Sequence, residues 1–282
     1  MGQGFPGISI VQGSPQSIWV PITDGSTIYV GGLVAVDYTA INEGVIVLPD
    51  AAGVANVTNH DIPLGVCIGT NRKNPLYSST YLTEYITDPG AADPHDGASI
   101  EYVGVEGPYA KGDPVAMVKV AVIDPCTVLR APLRKAAIGT APTVVTATAG
   151  NTSGVAVTTG AIDFTSVADN TATIYCRSGN NAGVYRSLDS ASTTAHTWDR
   201  ATRNDTEIGS TWVAVPVRAF GPSTVMFDAT TAMFIDVADA PVLAGTARWS
   251  IFVYRLDLAE AGNEYVEFRF DAGHFGSYIT NA

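Results

Sequence analysis

The stretch Thr27-Ile28-Tyr29-Val30-Gly31-Gly32-Leu33-Val34-Ala35-Val36-Asp37 is built almost wholly of β-branched, aromatic and small apolar residues, broken once by a glycine pair. Such residues suit a pleated, half-buried surface, so the stretch reads as strand on both sides of the break. Gly31-Gly32 marks a bulge or a place where a second backbone comes close. The same texture continues in both directions. Ile18–Ile22 precedes it, ended by the turn Asp24-Gly25-Ser26, and Gly44–Leu48 and Gly53–Thr58 flank the turn Pro49-Asp50-Ala51-Ala52. Pro63–Thr70, Ser79–Ile86, Ser99–Glu106 and Asp113–Ile123 extend the series. Turn signals recur about every 8 to 14 residues, the rhythm of a barrel or a sandwich.

Past residue 160 the pattern resumes. Thr173–Arg177 and Val184–Leu188 flank Ser178-Gly179-Asn180-Asn181-Ala182-Gly183, a hairpin signal with a glycine-rich turn. Thr211–Phe220, Thr224–Phe227, Met233–Val237, Ala247–Leu256 and Tyr265–Asp271 supply further strands. Helical signal is thin: Leu129–Ala137 has room for two turns and Asp257–Ala261 for one. The fold class is therefore all-β.

Two shifts in composition divide the chain. Residues 1–17 carry no charge and hold Gly2, Gly4, Gly7, Gly13, Pro6 and Pro15, which reads as an extended N-terminal arm. Phe5, Ile8, Ile10 and Val11 are unusual in a solvated tail. Two roles are open to them: anchoring the arm to a partner by strand addition, or packing it on its own domain. Residues 136–160 are rich in Ala, Thr, Val and Gly and read as a linker or crossing strand. The expected organisation is an arm at 1–17, a β domain at 18–135, the 136–160 connection and a second β-rich domain at 161–282.

Charge narrows the function classes. The 282 residues include 15 basic and 27 acidic side chains, a net −12, and charged residues are only 15% of the chain. An ordinary soluble domain carries about 25%, and a chain that covers much of its surface with partners can do with less. Only Lys73, Lys111, Lys119 and Lys135 are lysines, and the densest basic window is Arg130, Arg134 and Lys135. Nucleic-acid binding needs a basic face, so neither direct nucleic-acid contact nor attraction to an anionic membrane is expected. No apolar run approaches the roughly 18 to 20 residues of a spanning helix. The N-terminus lacks the basic and apolar regions of a signal peptide. Cys67, Cys126 and Cys176 are odd in number and widely spaced, which fits buried thiols in a reducing compartment.

Motifs for chemistry are sparse. His60, His95, His196 and His274 each sit among turn residues, and no G-x-S-x-G elbow or phosphate-cradling glycine loop occurs. Asp88, Asp93, His95 and Asp96 cluster within ten residues, yet they lack the alternate-residue spacing of a calcium loop, and a solvated loop with two proline turns accounts for them. No catalytic, cofactor-binding or metal-binding residues are assigned, and the expectation is a non-enzyme. Among the tryptophans, Trp19, Trp212 and Trp249 lie inside apolar strands and read as core, leaving Trp198, beside His196, Asp199 and Arg200, as the candidate exposed ring.

Over roughly residues 1–135 the chain resembles the head decoration, or cement, proteins of tailed bacteriophages. The residues behind this are Gly31-Gly32-Leu33-Val34-Ala35-Val36, then Pro63-Leu64-Gly65-Val66-Cys67-Ile68-Gly69, then Val105-Glu106-Gly107-Pro108-Tyr109-Ala110-Lys111-Gly112-Asp113-Pro114-Val115. The resemblance implies a small N-terminal β-barrel behind an extended arm, followed here by a second sandwich or barrel-like domain. It implies the major capsid protein as partner, a location on the outer capsid surface after synthesis in the host bacterial cytoplasm, and a homo-oligomer, first a trimer. Phe5, Ile8, Ile10 and Val11 become the expected capsid contacts. Other virion parts (head fibre, tail or shell subunit) and a glycan-binding β protein are the competing classes.

Overall fold

A computed structural model describes residues 7–23, 26–37, 44–48, 62–70, 76–77, 84–87, 116–135, 141–158, 171–191, 195–198, 200–237 and 249–275. Among these residues the strands up to the middle of the chain are β1 (Ser9–Gln12), β2 (Ser17–Pro21), β3 (Thr27–Tyr29), β4 (Leu33–Asp37), β5 (Gly44–Val47), β6 (Ile62–Thr70), β7 (Leu76–Tyr77), β8 (Glu84–Thr87), β9 (Met117–Val122) and β10 (Val128–Arg134). Then follow β11 (Val144–Thr146), β12 (Ala156–Thr158), β13 (Thr173–Cys176), β14 (Tyr185–Ser187), β15 (Ser190–Ala191), β16 (Ala195–Thr197), β17 (Thr211–Val215), β18 (Gly221–Phe227), β19 (Ile235–Asp236), β20 (Trp249–Asp257) and β21 (Tyr265–Phe270). The described chain is all-β, and its sheets are mainly antiparallel. The expected strands at Gly53–Thr58 and Ser99–Glu106 lie outside the described residues.

The chain forms two compact units. The first comprises Met1–Ala131, Phe227–Phe234 and Arg269–Ala282, the second Pro132–Met226 and Ile235–Phe268. The division therefore falls at 131/132 and not within 136–160, and that segment contributes β11 and β12 to the second unit. Neither unit is a single run of sequence, because short later segments return to the first.

In the first unit β2, β9, β6, β4 and β5 form a five-stranded sheet in that order, and β3, β8 and β7 form a three-stranded one. Pairing of β6 with both β4 and β9 is antiparallel, each with one register shift. The outermost strands of the five also approach each other: Ile22 bridges Val45, and the Thr23 N–H donates to the Val45 carbonyl at 3.0 Å. Alternate residues of these strands point inward, as a period of two requires. They supply a core of Ile22, Ile28, Val34, Val45, Cys67, Ile86, Ala116, Val118 and Val120.

The Gly31-Gly32 break separates β3 from β4, and the close approach expected there is present. Gly31 adopts φ +86°, a region glycine enters without a Cβ penalty. A Cβ on Gly32 would stand 2.4 Å from the Thr231 carbonyl oxygen. The returning 227–234 segment is thus seated against the glycine pair, and Leu33 N–H donates to the Ala232 carbonyl at 3.1 Å.

In the second unit β11, β17, β13 and β14 form a four-stranded sheet, and β12, β16 and β15 a three-stranded one. The hairpin expected around Gly179–Gly183 is β13–β14, with Ile174 opposite Arg186 and Tyr175 opposite Tyr185. Val145, Val157, Ile174, Leu188, Trp198 and Trp212 form its core. A further set of strands places β20 antiparallel to β18 and puts Leu133–Arg134 of β10 parallel to β19.

The expected helical turns at Leu129–Ala137 are corrected: through Arg134 this stretch is strand β10. Pro132 lies in its middle, and proline both lacks the N–H a helix needs and holds the preceding residue extended. Asp257 ends β20, and the turn after it closes through Asn263 N–H to the Glu260 carbonyl at 3.2 Å, with Gly262 at φ +83°. The helical element among the described residues is a single 3-10 turn, Ala272–His274, capped by the Asp271 carboxylate.

One buried ionic cluster fastens the second unit. The Glu264 side chain is fully buried and accepts from Arg134 at 3.2 Å and from Arg177 at 2.5 Å. Arg134 also donates to the carbonyls of Leu133 and Gly262, and Arg177 Nε to that of Leu258 at 2.9 Å. Burial presses the Arg134 pKa down, and Glu264 opposes that shift.

Three substitutions follow from these contacts. Gly32→Ala is expected to cost about 1–3 kcal/mol in denaturant unfolding, whereas Gly69→Ala, whose Cβ would meet only Lys119 Cβ at 3.9 Å, is expected within about 0.5 kcal/mol of the parent. Glu264→Gln removes the buried carboxylate on which Arg134 and Arg177 converge and is expected to lose about 3–5 kcal/mol. A loss below about 1 kcal/mol in that measurement contradicts the assigned role of Glu264.

Candidate interaction surfaces

The expected contact residues are dispersed along the start of the first unit. Ser9–Gln12 adds to β10 as β1, with Ser9 opposite Arg130 and Ile10 opposite Leu129. Ile8 is buried, and its N–H donates to the Gly31 carbonyl at 2.7 Å. Ile10 is half-buried, Val11 is 45% exposed, and Phe5 lies outside the described residues. Residues 8–12 pack on their own unit through β10, while Val11 remains at the surface. Among the described residues β1 ends its sheet, with β10 as its strand partner. Such an edge offers backbone donors and acceptors to an added strand.

Next to this edge lies a groove of about 280 Å³ lined by Ser14, Pro15, Gln16, Ile18, Val122, Ile123, Asp124 and Thr127. Its floor is a turn held by Asp124, whose Oδ1 accepts from Thr127 Oγ1 at 2.7 Å and Cys126 N–H at 2.9 Å. The Thr127 hydrogen bond holds the carboxyl below the usual aspartate range. Its Oδ1 is thus engaged with the turn itself.

The second unit ends in a tightly bonded set of loops. Glu207 accepts from the Asn180 backbone N–H at 2.9 Å and from its Nδ2 at 2.8 Å. Asn181 donates to the Asn204 and Asp205 carbonyls at 3.1 and 3.0 Å. Ser210 Oγ accepts from Trp212 Nε1 at 2.8 Å and donates to the Glu207 carbonyl at 2.7 Å. These bonds pin the turn that carries Ile208, which is 70% exposed. The glycine-rich turn was legible in sequence; its polar scaffolding by residues 204–210, some 25 positions later, had no local signal.

Trp212 and Trp249 are core as expected, but the tryptophan expectation is corrected at two positions: Trp19 is only half-buried on β2, which ends its sheet among the described residues, and Trp198 differs as well. Trp198 is not exposed: it is buried, stacks on Trp212 at 5.5 Å, and donates from Nε1 to the Gly154 carbonyl at 2.9 Å. Its polar sequence neighbours misled because alternation on β16 turns His196 and Trp198 inward together. Among the described residues the exposed large rings belong instead to phenylalanine and tyrosine. Phe220 is 68% and Tyr254 41% exposed, and both contact Phe252, at 5.5 and 5.3 Å between ring centres. The signal was present in Trp249-Ser-Ile-Phe-Val-Tyr254, where alternate residues face out.

Cys67 and Cys176 are buried, as expected, but Cys126 is exposed. Burial pushes the Cys176 thiol up to about 11, which keeps it protonated at neutral pH and unreactive. Among the described residues no group of three His, Cys, Asp or Glu stands where it could hold a metal ion. His60, His95 and the 88–97 acidic loop lie outside the described residues. His274 sits edge-on to Phe270 at 6.1 Å, and His196 is fully buried.

Burial holds the His196 pKa below its ordinary value of about 6.5. The folded chain then refuses a proton that the unfolded chain accepts, so stability falls as pH drops through about 6.5. Denaturant midpoints between pH 8 and 5 should decline more steeply for the parent than for His196→Phe, and equal slopes would contradict this placement of the imidazole.

No protein-family model, no curated protein and no solved structure matches this chain.

Proposed function

We propose that this chain is a non-enzymatic structural component of a tailed-phage virion, one that binds the outer face of the assembled capsid and stabilises it as a decoration protein. The observation that carries the reading is the uncharged N-terminal segment laid down as an edge strand, with Val11 exposed on it. An edge strand of this kind accepts a strand from a neighbouring subunit. The meeting of the outermost strands of the five-stranded sheet at Ile22 and Val45 supports a small barrel in the first unit.

The physical logic of such a protein is mass action. A ligand that binds only the assembled shell adds its binding free energy to shell stability. Several weak contacts from a homo-oligomer then give avidity without any one tight site. A low charge density and a net −12 suit this task, because the surface neither competes for nucleic acid nor depends on a basic partner face alone. The partner is the major capsid protein of the same phage, the site of action the outer capsid surface, and the site of synthesis the host bacterial cytoplasm.

The test uses shells of the encoding phage prepared without this chain. Added purified protein should bind saturably and raise the temperature at which the shells come apart. Val11→Asp should weaken occupancy about tenfold or more, through loss of an apolar contact and burial of a charge, with its own melting curve little changed. Shells whose melting is indifferent to the protein would rule the reading out.

A further inference from the structure

Strand β1 is held on the first unit by few contacts. Ile10 is half-buried, Ser9, Val11 and Gln12 are exposed, and Ile8 just ahead of the strand is buried. Its pairing with β10 runs through Ser9, Ile10 and Gln12 and is broken by a register shift between the last two. The seat ahead of the strand is more exacting. Gly7, at φ +45°, lies against the Gly31 backbone, where a Cβ would stand 2.7 Å from the Gly31 carbonyl oxygen. That same carbonyl accepts the Ile8 N–H at 2.7 Å. Whatever sits there must therefore offer a glycine followed by a side chain that fills the place of Ile8.

We propose that β1 is exchanged between copies of this chain: residues 7–12 of one copy leave their own β10 and take the same seat, in the same register, on a second copy. The seat selects this occupant, because the segment it fits is the chain's own. The exchanged contacts are those of the closed form, so no new interface has to be built. The connection allows it. The Gln16 carbonyl accepts Val122 N–H at 2.9 Å, which ties that end of the connection to β9 and leaves residues 13–15 as the hinge. Gly13 adopts φ +128°, although a Cβ there would meet nothing nearer than the Thr127 side chain at 3.5 Å. Folding the arm back, and not crowding, thus demands a conformation that glycine alone adopts readily. An arm running outward to a neighbour is released from that demand.

Local concentration decides between the closed and the exchanged form. A short tether presents β1 to its own β10 at an effective concentration on the order of millimolar. Closed copies therefore dominate in dilute solution, and exchange grows as copies are crowded side by side. Residues 13–16 span at most about 14 Å, so donor and acceptor lie in contact. Residues 1–17 carry no charge, and a neighbour with a net −12 accepts them without repulsion.

Disulfide trapping on the full chain, without shells, tests this separately from the capsid reading. Ser9 stands directly opposite Arg130, so one preparation carries Ser9→Cys and a second Arg130→Cys, both with Cys126→Ser to remove the exposed native thiol. Neither chain can close on itself through this pair, and a disulfide between the two preparations reports β1 of one copy on β10 of the other. Mixed near millimolar concentration under mild oxidation, the mixed species should exceed the two same-variant species about tenfold. Gly13→Ala strains the folded-back hinge and should bring the same yield at about fivefold lower protein concentration. Gly7→Ala in the Ser9→Cys preparation spoils the segment for either seat and should remove the excess. A mixed species at the proportion of random collision overturns the proposal. So does an excess that Gly7→Ala leaves standing or that Gly13→Ala lowers.

Discussion

Glu264 carries a charge in a place with no access to water, and the second unit is arranged around making that tolerable. Its carboxylate meets guanidinium groups that come from positions 134 and 177, at the end of β10 and just beyond β13. Those guanidinium groups are in turn satisfied by the carbonyls of Leu133, Gly262 and Leu258. A buried ion cluster is weak evidence for net stability, since desolvation offsets much of the attraction. Its effect is on alternatives: any packing that separates these three residues strands a charge, so misregistered arrangements of β10, β13 and the β20–β21 turn are disfavoured together. Tyr185 joins the same corner by accepting the Leu258 N–H at 3.1 Å through its hydroxyl.

The first unit is constrained differently, by backbone proximity. The Gly31–Gly32 turn admits the Ile8 region on one side and the 227–234 segment on the other, with Gly31 and Cys67 carbonyls both accepting N–H groups across the turn. A sheet built from short strands with register shifts at β4 and β6 gains its shape from such fixed points. The same segment contains Ala232 at φ +48°, an uncommon conformation for a residue with a Cβ. It is held by its N–H to the Asp228 carbonyl at 2.9 Å and by the Asp228 carboxylate on Thr231.

Much of this architecture was legible because strand pattern is a local property. Strand pattern located β2, β5, β6, β13, β14, β20 and β21 within a residue or two, though it carried β17 five residues too far, to Phe220, and paired glycines announced a close approach. Failures came where tertiary contacts decide. β10 is buried on both faces, so its apolar run lacked alternation and imitated a short helix despite Pro132. Trp198 was judged by its polar neighbours, though its own strand turned it inward. The unit division was hidden because residues 227–234 pack with strands some 200 positions earlier, which no compositional shift reports. For the interaction surface, the apolar arm residues were visible in the sequence, but not their separate placements: Ile8 is buried, Ile10 half-buried and Val11 exposed. The Phe220, Phe252 and Tyr254 row was missed because only tryptophans were weighed as exposed rings.

Edge strand, uncharged arm and low charge density are the features on which the proposed contact role rests. The central claim is that the contacts are with a capsid. The most direct measurement is pelleting a lysate of phage-infected cells through a sucrose cushion and quantifying this chain by mass spectrometry in pellet and supernatant. The account predicts co-pelleting at a fixed ratio to the major shell protein, with release under a mild denaturant wash that leaves the shell intact. Recovery of the chain in the supernatant, with shells in the pellet, would contradict it.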